Sequence, residues 1–217
     1  FESPDVETIY EIPLVLFRQG FDRAICKRLL LRNKKHTKIK LLEKFIRSYK
    51  NPRSSVTIAM CGKYNSLHDA YKSILEALIH AGVENISKVN IKWVDTEKLE
   101  KNNNQIDSFF KNVDGIIIPG GFGDRGIEGK ILSSKYAREN NIPFLGICLG
   151  LQCAVIDYAR HVCDMKNANS TEFNSNVRFP VIDLMSKQKN VHTKGATMRL
   201  GKYNCNVKGR TKAYSAY

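Results

Sequence analysis

From residue 55 onward, short apolar runs alternate with amphipathic stretches, and this alternation constrains the fold more than any other feature. Val56–Cys61 is an apolar run closed by Gly62 and predicts a buried strand. Leu67–Ala81 places Ala70, Ile74, Leu75, Leu78 and Ile79 at helical spacing, and Gly82 predicts its C-terminal stop. Val89–Val94, Asp114–Pro119 and Pro143–Ile147 read as further strands, with helices expected over Ile127–Asn140 and Leu149–Cys163. Repeated β-α units with short apolar strands imply a parallel sheet with helices on both faces and right-handed crossovers. The expected class is therefore α/β, a three-layer α/β/α sandwich with a mostly parallel central sheet. Beyond Asn167 the pattern loosens. A strand is expected within Val177–Met185, a polar loop over Ser186–Lys194, and short strands at Thr197–Leu200 and Tyr203–Val207.

The 217 residues, 42% hydrophobic, suffice for one well-buried domain with an appendage. Residues 1–54 read as that appendage, a connector with one or two helices and a break at Asn51-Pro52. The opening residue, Phe1, suggests a piece of a longer polypeptide, and no signal-peptide pattern follows it. Apolar runs such as Ile12–Phe17 are too short to span a bilayer. The net charge of +14 is compatible with nucleic acid, an anionic membrane surface or nucleotide substrates. It is equally compatible with heavy background use of lysine, and the densest basic stretch, Arg28–Lys44, reads as a solvated face. Neither nucleic acid nor membrane is an expected partner. The six cysteines form no CxxC pair and no Cys/His cluster with zinc spacing, which fits a reducing, cytoplasmic setting.

The strongest chemical signal is Gly146-Ile-Cys148-Leu-Gly150-Leu-Gln152, placed where an apolar strand turns into an amphipathic helix. A nucleophile elbow needs small residues two positions either side of the nucleophile, because the turn is sharp and its backbone strained. Cys148 occupies the nucleophile position, at the carboxyl edge of the sheet where α/β folds bind ligands. Partial positive charge at the helix N-terminus favours a thiolate there. A buried cysteine that happens to lie between two glycines is the competing explanation. Cys153 and Cys163 fall within the predicted helix without flanking glycines and read as structural.

Pro119-Gly-Gly-Phe-Gly-Asp-Arg-Gly126 directly follows the strand Ile116-Ile-Ile. Its Gly121-x-Gly123-x-x-Gly126 spacing matches a dinucleotide fingerprint, which would point to an oxidoreductase. That fingerprint normally occupies the first βα turn, whereas two strands precede this loop. The alternative is an oxyanion hole in which an amide near Gly121 and the N–H of Leu149 converge on a developing oxygen charge. A Gly-rich loop beside a cysteine elbow favours acyl chemistry over hydride transfer. A purely structural turn also fits.

Together with Asn167-Ala-Asn-Ser-Thr-Glu-Phe173 and Ala196-Thr-Met-Arg-Leu-Gly201, these motifs resemble the CTP synthase family, and Asp69-Ala-Tyr-Lys-Ser73 and Val89-Asn-Ile-Lys-Trp-Val94 are similar to it as well. The resemblance implies a flavodoxin-like class I glutamine amidotransferase domain over residues 55–217, incomplete at its C-terminus. Residues 1–54 would then be the end of a synthetase domain and an interdomain linker. The implied activity is that of a ligase: glutamine hydrolysis through a cysteine thioester, with ammonia passed on to make CTP from UTP and ATP. Cys148 would be the nucleophile, and Leu149 and Gly121 would hold the oxyanion through backbone amides. Gly121, Phe122, Leu149, Gln152 and Glu172 would contact glutamine, with Glu172 on its ammonium group. No cofactor or metal is implied in this domain; ATP and Mg2+ belong to the synthetase domain. GTP as activator and a homotetramer are further implications.

The chain departs from the family in three respects. The family's Arg-His-Arg-Tyr motif, which grips the glutamine carboxylate, is absent, and the stretch Pro180–Gly195 is shorter than family members usually show. The catalytic histidine segment is also missing. The family's catalytic His and Glu lie in a His-Pro-Glu segment, and none of His36, His68, His80, His161 and His192 lies in one. The sequence therefore predicts little glutamine turnover by these 217 residues alone, and leaves open a non-catalytic amidotransferase-like binding or regulatory module.

Overall fold

A computed structural model describes the chain except residues 33–37, 64–67, 122, 184–203 and 217. Four strands form one parallel sheet: β1 (Ser54–Gly62), β2 (Ser87–Asp95), β3 (Gly115–Ile118) and β4 (Phe144–Gly146), in the order β2-β1-β3-β4. Paired residues of parallel strands share a face, so the register assigns both sides. Ile58 aligns with Ile91 and Gly115, and Met60 with Trp93 and Ile117. On this side, Leu75, Leu78 and Ile79 of α4 (Lys72–Glu84) line one cavity with Val89 and Ile91. On the other side, Ala59, Cys61, Val94, Ile116 and Ile118 form a core with Leu99, Phe110 and Ala137. These come from α5 (Thr96–Lys101), α6 (Ile106–Phe110) and α7 (Ile127–Glu139). Helix α8 (Leu149–His161) packs beside α7 through Ile127, Ile131, Leu149, Cys153 and Ile156. The three layers expected from the sequence are present, and strand order reverses between β1 and β3, which opens a crevice at their carboxyl ends.

Several expectations are corrected. Gly82 does not stop α4, which runs on to Glu84 and is capped by the Asn85 side chain on the Ala81 carbonyl at 2.8 Å. Glycine is required at 82 for a different reason: a Cβ there would lie 2.6 Å from the Ser87 carbonyl oxygen. Between Val94 and Asp114 the apolar pattern singled out no helix, yet α5 and α6 form there. Asp95 starts α5 by accepting from the amides of Glu97 and Lys98, at 3.0 and 3.1 Å. Cys163 lies beyond the end of α8 and is exposed.

Residues 1–54 carry more than the one or two helices expected. Among the described residues there are three α-helices: α1 (Ile12–Arg18), α2 (Phe21–Arg28) and α3 (Ile39–Lys50). The Tyr10 hydroxyl donates to Glu76 of α4 at 2.9 Å, and the Tyr10 ring packs on Phe45. Lys50 bonds Glu11 at 2.8 Å. The segment is thereby fastened to α4.

Within Val177–Met185 the described strand is Pro180–Ile182 (β6), paired in parallel with Asn169–Ser170 (β5). The loop at Ser186–Lys194 and the strand at Thr197–Leu200 lie outside the described residues. Residues 204–207 carry no strand.

Candidate active site

The chain leaves β4 and enters α8 through Cys148, which has φ 54° and ψ −107°. An L-residue held at positive φ costs on the order of 1–3 kcal/mol, so the surroundings must enforce it. They do so through three bonds and two close approaches. The Ile147 amide donates to Ile118 O at 2.9 Å, the Gly150 amide to Ile147 O at 2.9 Å, and the Gln152 amide to Cys148 O at 3.2 Å. A Cβ on Gly146 would stand 2.5 Å from the Gly150 carbonyl carbon, and one on Gly150 would stand 2.1 Å from Ile118 O. Both flanking glycines are thus fixed by backbone contact. The result is an exposed Cys148 side chain above a buried Leu149, 2% exposed.

The Gly-rich loop reaches this elbow. The Cβ direction of Gly120 points at Cys148 Cβ, 3.4 Å away, and that of Gly121 at Leu149 Cδ2, 3.8 Å away. Gly123 and Gly126 take φ of 86° and 69°, turning the loop into α7. The Leu149 amide is one of the first amides of α8, which lack acceptors within the helix. Gln152 lies one turn beyond Cys148 on the same side of α8 and is half-buried. Glu172 is half-buried in the loop after β5, where its amide donates to Ser170 Oγ at 3.1 Å. Its neighbour Phe173 packs on the cluster that contains Leu149 and Cys153. The structure therefore brings Gly121, Cys148 and Leu149 together and seats the Glu172 loop against α8. Phe122 lies outside the described residues.

Two described histidines are accounted for elsewhere. His80, on α4, bonds the Tyr10 hydroxyl. His161 bonds Asp157 at 2.9 Å at the far end of α8, about 20 Å from Cys148 at ~1.5 Å per residue. Asp157 is buried and also receives Arg138 through two bonds of 3.1 and 3.2 Å, a staple between α7 and α8. Among the described residues there is no His/Cys/Asp/Glu group able to hold a metal ion, and no helix long and apolar enough to cross a membrane.

The remaining thiols divide by environment. Burial pushes Cys61 and Cys153 up to about 12, whereas Cys163 and Cys205 are exposed like Cys148. Iodoacetamide at pH 8 is expected to label Cys148, Cys163 and Cys205 and to spare Cys61 and Cys153 until the chain unfolds. Peptide mass mapping reads this directly. The same shift has a consequence for stability. Ordinary thiols ionise near 9.0, so the contribution of the two buried thiols is complete below that pH and is lost as pH rises towards 12.

A strained cysteine elbow facing a Gly-rich loop on a β2-β1-β3-β4 sheet has the geometry of a nucleophile elbow on an α/β domain. The class-I glutamine amidotransferase family model matches residues 66–216, and the chain belongs to that family. Over 216 residues it is 53% identical to the CTP synthase of Caldanaerobacter subterraneus subsp. tengcongensis, covering 100% of this chain and 40% of that protein. It is 50% identical to the CTP synthase of Methanocaldococcus jannaschii, covering 100% of this chain and 41% of the relative. The acivicin-bound glutaminase domain of Trypanosoma brucei CTPS superimposes with a TM-score of 0.58 at 39% identity, over 62% of this chain and 52% of that one. The chain thus spans about two fifths of the length of the curated relatives it matches.

Proposed function

We propose that this chain is the glutaminase part of a CTP synthase and that Cys148 carries the chemistry. The carrying observation is the enforced positive φ of Cys148, with Gly120 against Cys148 and Gly121 against Leu149. The Cys148 thiolate attacks the side-chain amide carbon of glutamine, forming a C–S bond. The carbonyl oxygen becomes an oxyanion held by amides at Gly121 and Leu149. The intermediate collapses, the C–N bond breaks, and the nitrogen leaves as ammonia once it has taken a proton. A γ-glutamyl thioester remains, and water releases glutamate and regenerates the thiol. Gln152 and Glu172 orient the substrate, with the Glu172 carboxylate on the α-ammonium group. The relatives' names support delivery of the ammonia to a synthetase domain that converts UTP to CTP with ATP. Residues 1–54 would be the end of that domain and the linker, with GTP as activator and a cytoplasmic tetramer as the working form.

An electrophilic glutamine analogue tests the site without requiring turnover. Cys148 is expected to be modified at least about tenfold faster than Cys163 and Cys205, which are also exposed, with free glutamine protecting it. Equal modification of all three, or no protection by glutamine, would leave a non-catalytic module as the better description.

A further inference from the structure

We propose that a polar cavity beside the Glu172 turn is a binding site for a small phosphate-type oxyanion, and that its occupant steadies the turn that presents Glu172 to glutamine. The second half of this inference rests on the amidotransferase reading above; the first half does not. The cavity has a volume of about 570 Å³ and lies where residues 167–178 pass the start of α7 and the end of α8. Glu128 of α7 and Arg160 of α8 form one side, and the stretch that carries Glu172 forms the other. Among the described residues that line it, Val177 alone is apolar, so the cavity suits a polar ligand.

The hydrogen bonds already made leave donors in excess. Glu128 is committed: its two carboxylate oxygens accept from Arg160 Nη1 and Nη2 at 2.7 and 3.2 Å. Arg160 Nε donates to the Ala168 carbonyl at 2.7 Å, so this guanidinium is held at three points and keeps a second N–H on each Nη. Asn169 Oδ1 accepts the Ser170 amide at 2.9 Å, and Asn174 Oδ1 accepts the Asn176 amide at 3.0 Å. Each of these carboxamides is oriented by its oxygen and has its NH2 group left to donate. The side chains of Asn167 and Asn176 can turn either end inward. Arg178 makes no hydrogen bond or ion pair among the described residues and lies over the Phe179 ring, 5.0 Å from its centroid.

Surplus donors select an acceptor-rich ligand, and the charges select its sign. Arg160 and Glu128 cancel, which leaves Arg178 as an uncompensated positive charge. The donors also come from separate segments, α8 on one side and the residues around β5 and before β6 on the other. A tetrahedral phosphate accepts from all these directions, and guanidinium groups match it in charge and shape. Glu172 is built into the same wall, because Asn169 and Asn174 bracket it. Its turn is closed by the Phe173 and Asn174 amides on the Ser170 carbonyl, each at 3.1 Å, and by the Glu172 amide on Ser170 Oγ at 3.1 Å. An anion shared by Asn174, Arg178 and Arg160 ties that turn to α8, the helix that Cys148 caps.

The test follows Cys148 labelling by the electrophilic glutamine analogue in the complete protein, with sodium chloride exchanged for sodium phosphate at constant pH and ionic strength. Phosphate is expected to raise the labelling rate at least about threefold at low analogue concentration, and to do so saturably. Arg178→Gln should raise the half-saturating phosphate concentration at least about tenfold, and Asn176→Ala about threefold. Arg178→Lys, which keeps the charge without the fork, should fall between Arg178→Gln and the unsubstituted protein. Both side chains are exposed, so the variants should fold and should label in chloride within about twofold of the unsubstituted rate. A phosphate ester such as glycerol phosphate separates the sources: equal half-saturation assigns the site to esters as well, and tenfold weaker action assigns it to free phosphate. A labelling rate that ignores phosphate overturns the steadying of the Glu172 turn. Equilibrium dialysis with radiolabelled phosphate decides the site itself, and binding that is identical in Arg178→Gln and the unsubstituted protein overturns it. Failure of the analogue to label Cys148 under any condition overturns the amidotransferase reading and leaves the dialysis result to stand alone.

Discussion

Cys148→Ala in the complete protein is expected to lower glutamine-dependent product formation by about 10,000-fold or more, while activity on added ammonia stays within about twofold. The split follows from where the atom sits. Cys148 is exposed at the elbow and lies outside both core clusters, so replacing its thiol opens no cavity. The backbone strain at φ 54° is held by Ile147, Gly150 and Gln152 amides that the substitution does not touch. The fold and any synthetase chemistry should therefore persist, and only the bond-forming sulfur is lost. Ammonia release measured directly, beside product formed from ammonium salt, separates the two. Comparable losses from glutamine and from ammonia would mean that Cys148 is not the glutaminase nucleophile.

Gly150→Ala is the second large effect, and it acts through geometry. The added methyl would need to occupy a point 2.1 Å from Ile118 O and 2.9 Å from Ile118 Cβ. Backbone atoms cannot yield as a flexible side chain can. Either α8 lifts from β3 or the bond from the Ile147 amide to Ile118 O, now 2.9 Å, is broken. A stability loss of about 3 kcal/mol is expected, seen as a fall in Tm. Glutamine turnover should drop about 100-fold in the fraction that stays folded, because a shift near 1 Å misplaces the nucleophile against its oxyanion donors. Gly209→Ala is the control, since nothing lies within 4 Å of a Cβ there. A Gly150→Ala protein with unchanged Tm and turnover would remove the elbow argument.

Much of this arrangement was legible in the residues. The strands were readable because a buried parallel strand is apolar on both faces, as Ile116–Ile118 and Val56–Cys61 are. The elbow was readable because its glycines sit where backbone contact leaves no room for a side chain. What failed in the reading shares one cause. Helices α5 and α6 are short and polar, and are fixed by a cap and by the single anchors Leu99 and Phe110, which carry no periodic signal. Residues 1–54 looked like a tether because Tyr10 and Glu76 are 66 positions apart, and sequence spacing does not show their contact. Cys163 looked buried because its apolar neighbours suggested a longer helix.

By itself, then, the sequence determined the α/β class, the place of Cys148 at a strand-to-helix turn, and the Gly-rich loop that precedes it. These are local properties: hydrophobic period, glycine spacing and helix caps act over a few residues. Only the tertiary structure decided that Gly120 closes on Cys148 and Gly121 on Leu149, and that the Glu172 loop docks on α8 through Phe173. It alone decided that Glu128 of α7, Arg160 of α8 and Arg178 line one cavity, with the first two paired. Burial and charge compensation depend on which elements pack side by side, and that is set by contacts between residues far apart in the chain.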